Sequence, residues 1–384
     1  MVKLETSFWY MSIYLKALSL WPISPVASNF VKLSNLVHFF FVVIGLTLLF
    51  TQILLYVILQ ASDSQEVMEV LSTQVVFLHA SVKVVFLKLR RRKLDRLLKS
   101  VKHSMVNGPE QLLKYLVEYA RMANVLYAVY TIGVLILSMD YIMAPYWQIP
   151  YSTPLSSWYP FNYINTTLLY GLAYSQQVLF IFFSWFTTGI DVSFGVFIFH
   201  VCAQCKVLQI NLLHLIEGKK EPVGWKEVDK RLSDCVKLHY DILRSTKDIN
   251  DVYTYPVLVL FFATILTVCC AGLQITDIPE LTVKSFLTFL LLTICVIIQL
   301  LLYYLPGNIL IEESIAVRSS AYNSGWESLP VKHRKAILFI ILRSATSAKL
   351  QIGRMGLLTL ENYANFLVRT ASYFTSIRSI VGTS

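Results

Sequence analysis

The feature that most constrains this chain is a series of apolar stretches, each long enough to cross a bilayer as a helix. A hydrocarbon core about 30 Å thick needs roughly 20 apolar helical residues. Residues 36–59 give the first clear run, with only His38 and Gln52 strongly polar. Others cover 69–88, 122–144, a stretch from 167 to past 195, 254–275 and 283–305. A shorter, more polar run covers 357–380, where Glu361 and Arg369 lower the hydropathy. Composition agrees with a membrane solvent: 56% of residues are hydrophobic, 15% are charged and the mean hydropathy is +0.59. Soluble domains carry roughly 25% charged residues. With no linker, repeat or low-complexity tract, the sequence reads as one helical bundle.

The distribution of charge sets the expected orientation. The net charge is +10. Basic residues crowd the segment between the second and third runs, from Lys88 through the run Arg90-Arg91-Arg92-Lys93 to Arg121. They crowd 206–253 and the segment from Arg318 to Arg354 as well. The alternate connections at 60–68 and 145–166 have no Lys or Arg, and 276–284 has only Lys284. Basic loops remain cytoplasmic. The pattern therefore predicts an all-α membrane protein with seven transmembrane helices, a cytoplasmic N-terminus and an extracellular C-terminus, the inverse of a G-protein-coupled receptor. The acceptor sequence Asn165-Thr166-Thr167 falls in a loop predicted outside, so Asn165 is a candidate glycosylation site. All six cysteines fall in spans or predicted cytoplasmic segments, where reduced thiols belong.

Residues 1–33 lack a compact signal-peptide core and read as an interfacial segment. Trp9, Tyr10, Tyr14 and Trp21 are rings that favour the headgroup level. The basic run at 90–93 reads as an anchor beneath the second span, with membrane lipid as its partner. No nucleic-acid motif accompanies the charge, so nucleic acid is not expected. Cys202-x-x-Cys205, near His200 and His214, lacks the second cysteine pair of a zinc finger, and neither metal nor cofactor is expected. No nucleophile or acid–base constellation suggests an enzyme. A secondary transporter would show inverted repeats and broken helices, and the sequence suggests neither. Residues 206–253 mix both signs of charge, with Val228, Leu232, Cys235, Val236 and Leu238 at helical spacing. They read as helical extensions that pack on each other or on neighbouring subunits.

The C-terminal residues carry the most specific motif: Leu358-Thr359-Leu360-Glu361-Asn362-Tyr363, then Ser372-Tyr373-Phe374-Thr375. This resembles the C-terminus of insect odorant receptors, and chain length, inverted topology and short outer loops extend the resemblance to the whole chain. The Thr-Tyr and Gln-Phe pattern of gustatory receptors is absent. The segment at 206–253 is shorter than the insertion of the shared co-receptor, so the chain resembles an odorant-tuned subunit. The alternatives are a G-protein-coupled or a gustatory-type chemoreceptor.

The resemblance implies a ligand-gated non-selective cation channel in the plasma membrane of olfactory sensory neurons. It would be a heterotetramer with the co-receptor, opened by a small volatile odorant. It further implies cytoplasmic anchor regions at 206–253 and 306–356, and a last helix, 357–380, that lines the pore. On that helix Ser372, Ser376 and Ser379, with Ile380 beside them, share one face. Positions matching Ser376 and Ile380 are aliphatic gate residues in the co-receptor, a pattern that Ser376 breaks. The implied ligand cavity lies in the outer half of spans two, three, four and six. Depth alone nominates Gln74, Phe77 and Leu78 on span two and Ile136, Met139 and Asp140 on span three. It nominates Tyr170, Tyr174 and Gln177 on span four, and Phe286 and Phe289 on span six. Tyr170 and Tyr174 are one turn apart and share a face.

Overall fold

The computed structural model describes residues 2–24, 26–61, 64–147, 152–216, 224–277, 282–345, 348–353 and 356–381. Helices dominate them. α1 (Val2–Ala17) precedes α2 (Asn29–Leu59), α3 (Ser64–Leu89), α4 (Arg91–Asn107) and α5 (Glu110–Trp147). There follow α6 (Thr167–Phe186), α7 (Thr188–Leu213), α8 (Trp225–Asp277), α9 (Val283–Tyr322) and α10 (Val331–Ser344). A two-residue antiparallel pair, β1 (Gln351–Ile352) and β2 (Gly356–Leu357), leads into α11 (Leu360–Val381).

Six helical stretches among the described residues are long and apolar enough to cross a membrane, counting α6 and α7 as one. α11 has the length, at 22 residues, but its Ser, Thr and Arg content keeps it out of that set. Several helices outrun the apolar stretches that announce them. α8 has 53 residues, about 80 Å at 1.5 Å per residue. It fuses the expected cytoplasmic segment and the fifth span into one rod. Hydropathy reports where a helix meets lipid; the amphipathic stripe Val228, Leu232, Cys235, all buried, carries it onward. Val236 lies exposed beside that stripe.

The caps follow the sequence. Ser28, Thr166 and Thr282 each accept a backbone N–H near the start of α2, α6 and α9, satisfying a donor that the first turn leaves unpaired. The fourth span is interrupted by one residue, Thr187, between α6 and α7. This corrects the expectation of unbroken spans.

α1 is more than an interfacial helix. Met11, Leu15 and Leu18 are fully buried, and Tyr14 packs edge-on against Trp185, ring centroids 5.4 Å apart. Trp21 packs against Phe8, while Trp9 and Tyr10 face outward. At the basic end, Arg96 makes a two-pronged bond to Asp248 at 2.9 and 2.8 Å, and Lys93 pairs with Asp251, tying α4 to α8. Lys332 and His333 tie α10 to α8 through Asp229, holding that carboxyl below the usual carboxylate range. The short apolar stretch 336–342 forms the middle of α10. It buries Ile337, Ile340 and Ile341 and leaves Leu338, Phe339 and Leu342 exposed.

Candidate functional site

Where α3, α5, the α6–α7 break and α9 converge, nearer the bare end than the basic end, they enclose a cavity of about 90 Å³. Its wall is chiefly apolar: Val76 and Phe77 from α3, Val134 and Leu137 from α5, Ile181 from α6, Leu292, Cys295 and Val296 from α9. Leu155 closes it from the loop before α6. That leucine is held by Gln177, whose Oε1 accepts the Leu155 N–H at 2.9 Å and whose Nε2 donates to the Leu155 carbonyl at 3.2 Å.

Most polar groups on the wall are already committed. Thr73, Ser138 and Thr187 donate their hydroxyls to backbone carbonyls three or four residues earlier. Thr188 differs. It is 2% exposed, it lines the cavity, and its Oγ1 has no hydrogen-bond partner among the described residues.

Below the cavity lies a buried charged cluster. Lys83 Nζ donates to both oxygens of Asp191, at 2.7 and 3.0 Å, and both side chains are 0% exposed. Asp191 also accepts from Tyr130 at 3.0 Å, from Gln299 at 2.9 Å and from Tyr303. Four helices, α3, α5, α7 and α9, thus meet on one carboxylate. A buried charge is costly unless paired and fully hydrogen-bonded, and this one is both. Tyr130 and Gln299 belong to the cavity wall as well, so the cluster forms its floor. The signal for it was in the sequence, since ionisable residues inside apolar runs mark functional positions. Their pairing across 108 positions of chain has no local signature.

Toward the bare end a second, more polar cavity of about 110 Å³ shares Thr73, Tyr141 and Leu155 with the first. Glu69, Asp140 and Lys284 stand around it. Asp140 accepts from Thr288 at 2.8 Å and lies 3.6 Å from Lys284.

A chiefly apolar cavity over a buried charged floor thus sits inside a helical bundle that ends in a polar helix. The family model described as 7tm odorant receptor matches residues 63–368. The chain belongs to the 7tm odorant receptor family. This odorant receptor is similar to Odorant receptor 85c of Drosophila melanogaster, 22% identical over 313 residues, with 78% of each chain covered. It is 30% identical over 165 residues to Odorant receptor 67a of the same fly, covering 43% of this chain and 40% of that one. Its fold matches the insect olfactory receptor OR5 from Machilis hrabei at a TM-score of 0.81, across 99% of both chains. Identity is 16% to the complex with eugenol and 17% to the other OR5 structure. The receptor therefore has the all-α, multi-pass membrane fold of insect olfactory receptors.

Within this odorant receptor the nominated ligand residues scatter. Phe77 lines the first cavity, and Asp140 and Phe289 line the second, more polar one. Leu78, Ile136, Met139 and Phe286 are exposed on the outside of the bundle. Gln74 is buried and reaches the Phe50 carbonyl at 3.4 Å. Tyr170 donates to the Ser152 carbonyl at 3.1 Å, Tyr174 to that of Ile142 at 3.0 Å, and Gln177 holds Leu155. These polar groups shape the loop and helix ends around the cavity instead of lining it. Depth selects a turn of helix, but adjacent residues point about 100° apart, so Leu137 lines the cavity while Ile136 faces out.

On α11 the receptor exposes Ser372, Ser376 and Ser379. Their hydroxyls donate to backbone carbonyls of their own helix, at 3.1, 2.9 and 2.8 Å. Arg369 is exposed and makes no ion pair among the described residues. The side chains of Asn165 and Ile380 lie outside the described residues. Cys202 and Cys205 are buried, and His200 Nε2 meets Ser104 Oγ at 2.8 Å.

Proposed function

We propose that this receptor is an odorant-tuned subunit of a ligand-gated, non-selective cation channel formed with a shared co-receptor as a heterotetramer. A small volatile occupies the 90 Å³ cavity, the N-terminus and the basic loops are cytoplasmic, and α11, as the seventh span, lines the pore. The membrane is the plasma membrane of an olfactory neuron. The observation that carries this reading is the exposure of α11. From Ala371 to Ser379 every side chain but Phe374 is exposed, including three serines, Thr375 and Arg378. Polar side chains within a membrane face other helices or water. The chain's other helices pack on one side of α11 and leave this polar side uncovered, so further subunits enclose a water path beside it. The serine hydroxyls send their protons to their own helix, which leaves oxygen lone pairs turned outward to accept from water around a passing cation. The exposed stripe Leu338, Phe339 and Leu342 on α10 offers an apolar contact for a neighbouring subunit near 206–253 and 306–356.

Coupling from cavity to pore runs along α9. Leu292, Cys295 and Val296 wall the cavity, and Tyr363 of α11 donates to the Ile297 carbonyl at 3.1 Å. Two turns on, Tyr304 packs against Tyr363 with ring centroids 5.5 Å apart. A ligand opens the pore by preferring the open arrangement of α9.

The test is expression with and without an insect odorant co-receptor, recording currents to a broad volatile panel under G-protein blockade. A fast cation current that needs the co-receptor is expected. Failure to co-assemble, or responses lost under blockade, would refute the channel reading. Replacing Ser376 or Ser379 by Ala is expected to change ion selectivity or conductance; unchanged permeation in both would remove them from the pore.

A further inference from the structure

We propose that the groove between the N-terminal turn, α2 and the α3–α4 junction binds the phosphorylated polyol headgroup of an anionic membrane lipid. This groove is independent of the odorant cavity and lies at the opposite, basic end of the bundle. Its volume is about 710 Å³, room for a headgroup larger than a phosphate ion. Lys32, Lys88, Arg91, Arg92 and Lys99 line it, against one carboxylate, Asp95. That carboxylate is already engaged by Lys99 at 2.6 Å.

Three features show that this charge is arranged rather than merely solvated. First, α4 begins with Arg91, Arg92 and Lys93, has no acidic residue in its first turn and has no side-chain cap on its N-terminus. A helix N-terminus carries about half a positive charge and favours anions. Placing arginines there is unfavourable unless an anion joins them. Lys93 is neutralised by Asp251, whereas Arg91 and Arg92 make no ion pair among the described residues. Second, among the described residues Lys88 is held in place by neutral acceptors only, the Ser19 carbonyl at 2.7 Å and Asn35 Oδ1 at 3.2 Å. Its charge is fixed toward the groove without being cancelled. Third, Ser19 closes the groove's wall in a left-handed conformation, φ 55°, with its hydroxyl on His38 Nδ1 at 2.7 Å. A non-glycine residue held at positive φ marks a turn built to a fixed shape.

The occupant is a lipid rather than a free phosphate, because the basic floor continues into apolar walls. Trp21, Ile23, Leu33 and Leu36 line the same groove, and Leu33 and Leu36 are exposed on the membrane-length helix α2. An acyl chain can lie along α2 while its headgroup reaches the arginines, and clustered cations at a membrane edge attract such headgroups.

The experiment uses the purified full-length chain and short-chain lipids, with thermal stabilisation as the readout of binding. The probes are a phosphatylinositol bisphosphate, phosphatidylserine at matched total charge, soluble inositol trisphosphate and inorganic phosphate. The phosphoinositide is expected to stabilise the chain at the lowest concentration. The double variant R91Q/R92Q should weaken its binding roughly thirtyfold, about 2 kcal/mol at about 1 kcal/mol per cation. The pair R91K/R92K should retain most of it. R90Q removes a neighbouring charge outside the groove and should bind as the parent does. Equal stabilisation by phosphatidylserine, or equal losses in R90Q and R91Q/R92Q, would reduce the groove to diffuse surface charge and overturn the proposal. Binding of inositol trisphosphate or inorganic phosphate as tight as that of the lipid would overturn the assignment to a lipid.

Discussion

Consider the two ways of breaking the Lys83–Asp191 pair. Replacing Lys83 by Met leaves Asp191 with three neutral donors, Tyr130, Gln299 and Tyr303. Replacing Asp191 by Leu leaves Lys83 with no acceptor, since both of its hydrogen bonds go to that carboxylate. It also orphans two tyrosine hydroxyls and an amide on other helices. Removing one partner of a buried pair costs about 3–5 kcal/mol, because the remaining charge is stranded, whereas replacing both by apolar side chains is often close to neutral. The expected order of destabilisation is therefore D191L, then K83M, with the double variant K83M/D191L milder than D191L alone. D191L should lie near the top of that range and K83M near its foot. With single losses near about 5 and about 3 kcal/mol and a double variant below D191L, the coupling energy should reach at least about 3 kcal/mol, the top of the roughly 0.5–3 found for groups sharing one network. Equilibrium unfolding in mixed micelles, read by tyrosine and tryptophan fluorescence, measures the cycle. If the two single losses add in the double variant to within about 0.5 kcal/mol, the residues are not coupled and the account of the cavity floor is wrong.

Other outcomes follow from the same geometry. Leu292→Trp places an indole in the 90 Å³ cavity and should abolish responses to every odorant while surface delivery persists; preserved dose–response curves would move the ligand elsewhere. Thr188→Val removes the unpartnered hydroxyl at nearly constant shape. It should lower potency for oxygen-bearing odorants roughly threefold to tenfold, the worth of one neutral hydrogen bond, and leave hydrocarbon agonists unchanged. Gly307→Ala would set a methyl 2.6 Å from Leu358 Cβ and 2.8 Å from the Leu358 carbonyl oxygen. Backbone cannot swing aside as a side chain can, so a stability loss of about 1–3 kcal/mol is expected, checked by thermal unfolding; an unchanged midpoint would mean that the entry to α11 shifts freely.

What the sequence made legible is what depends on one local property. Apolar length located six membrane-length helical stretches, and the terminal motif pointed to the family that the comparison establishes. Helix ends were less legible, because α8 passes from an apolar run to an amphipathic one without a break. The cavity was legible in depth and not in register. Leu78, Ile136 and Met139 sit at the depth of the cavity and face away from it, and where a helix is apolar all round no periodicity tells the cavity side from the lipid side. Gln177 shows a second limit. A buried glutamine in a span reads as a ligand contact, yet both ends of its amide are spent on the backbone of Leu155. Only the fold shows that a loop folds back there with amide groups to satisfy.

The same reasoning explains why the charged cluster belongs where it is. A cavity able to accept small apolar molecules leaves its walls short of packing, since an empty chamber forfeits contacts on one side. Leu137, Leu292 and Val296 cannot fix the spacing of α3, α5, α7 and α9 around such a void by contact alone. Asp191 does so by direction: its hydrogen bonds draw on all four helices at once. Phe194 shields the cluster by packing on Tyr303 and Tyr253, ring centroids 4.7 and 5.1 Å away. Under the proposed reading, the apolar wall repacks around different odorants over a floor that does not move with it. A mutation in the wall should retune the receptor, whereas one in the floor should unfold it.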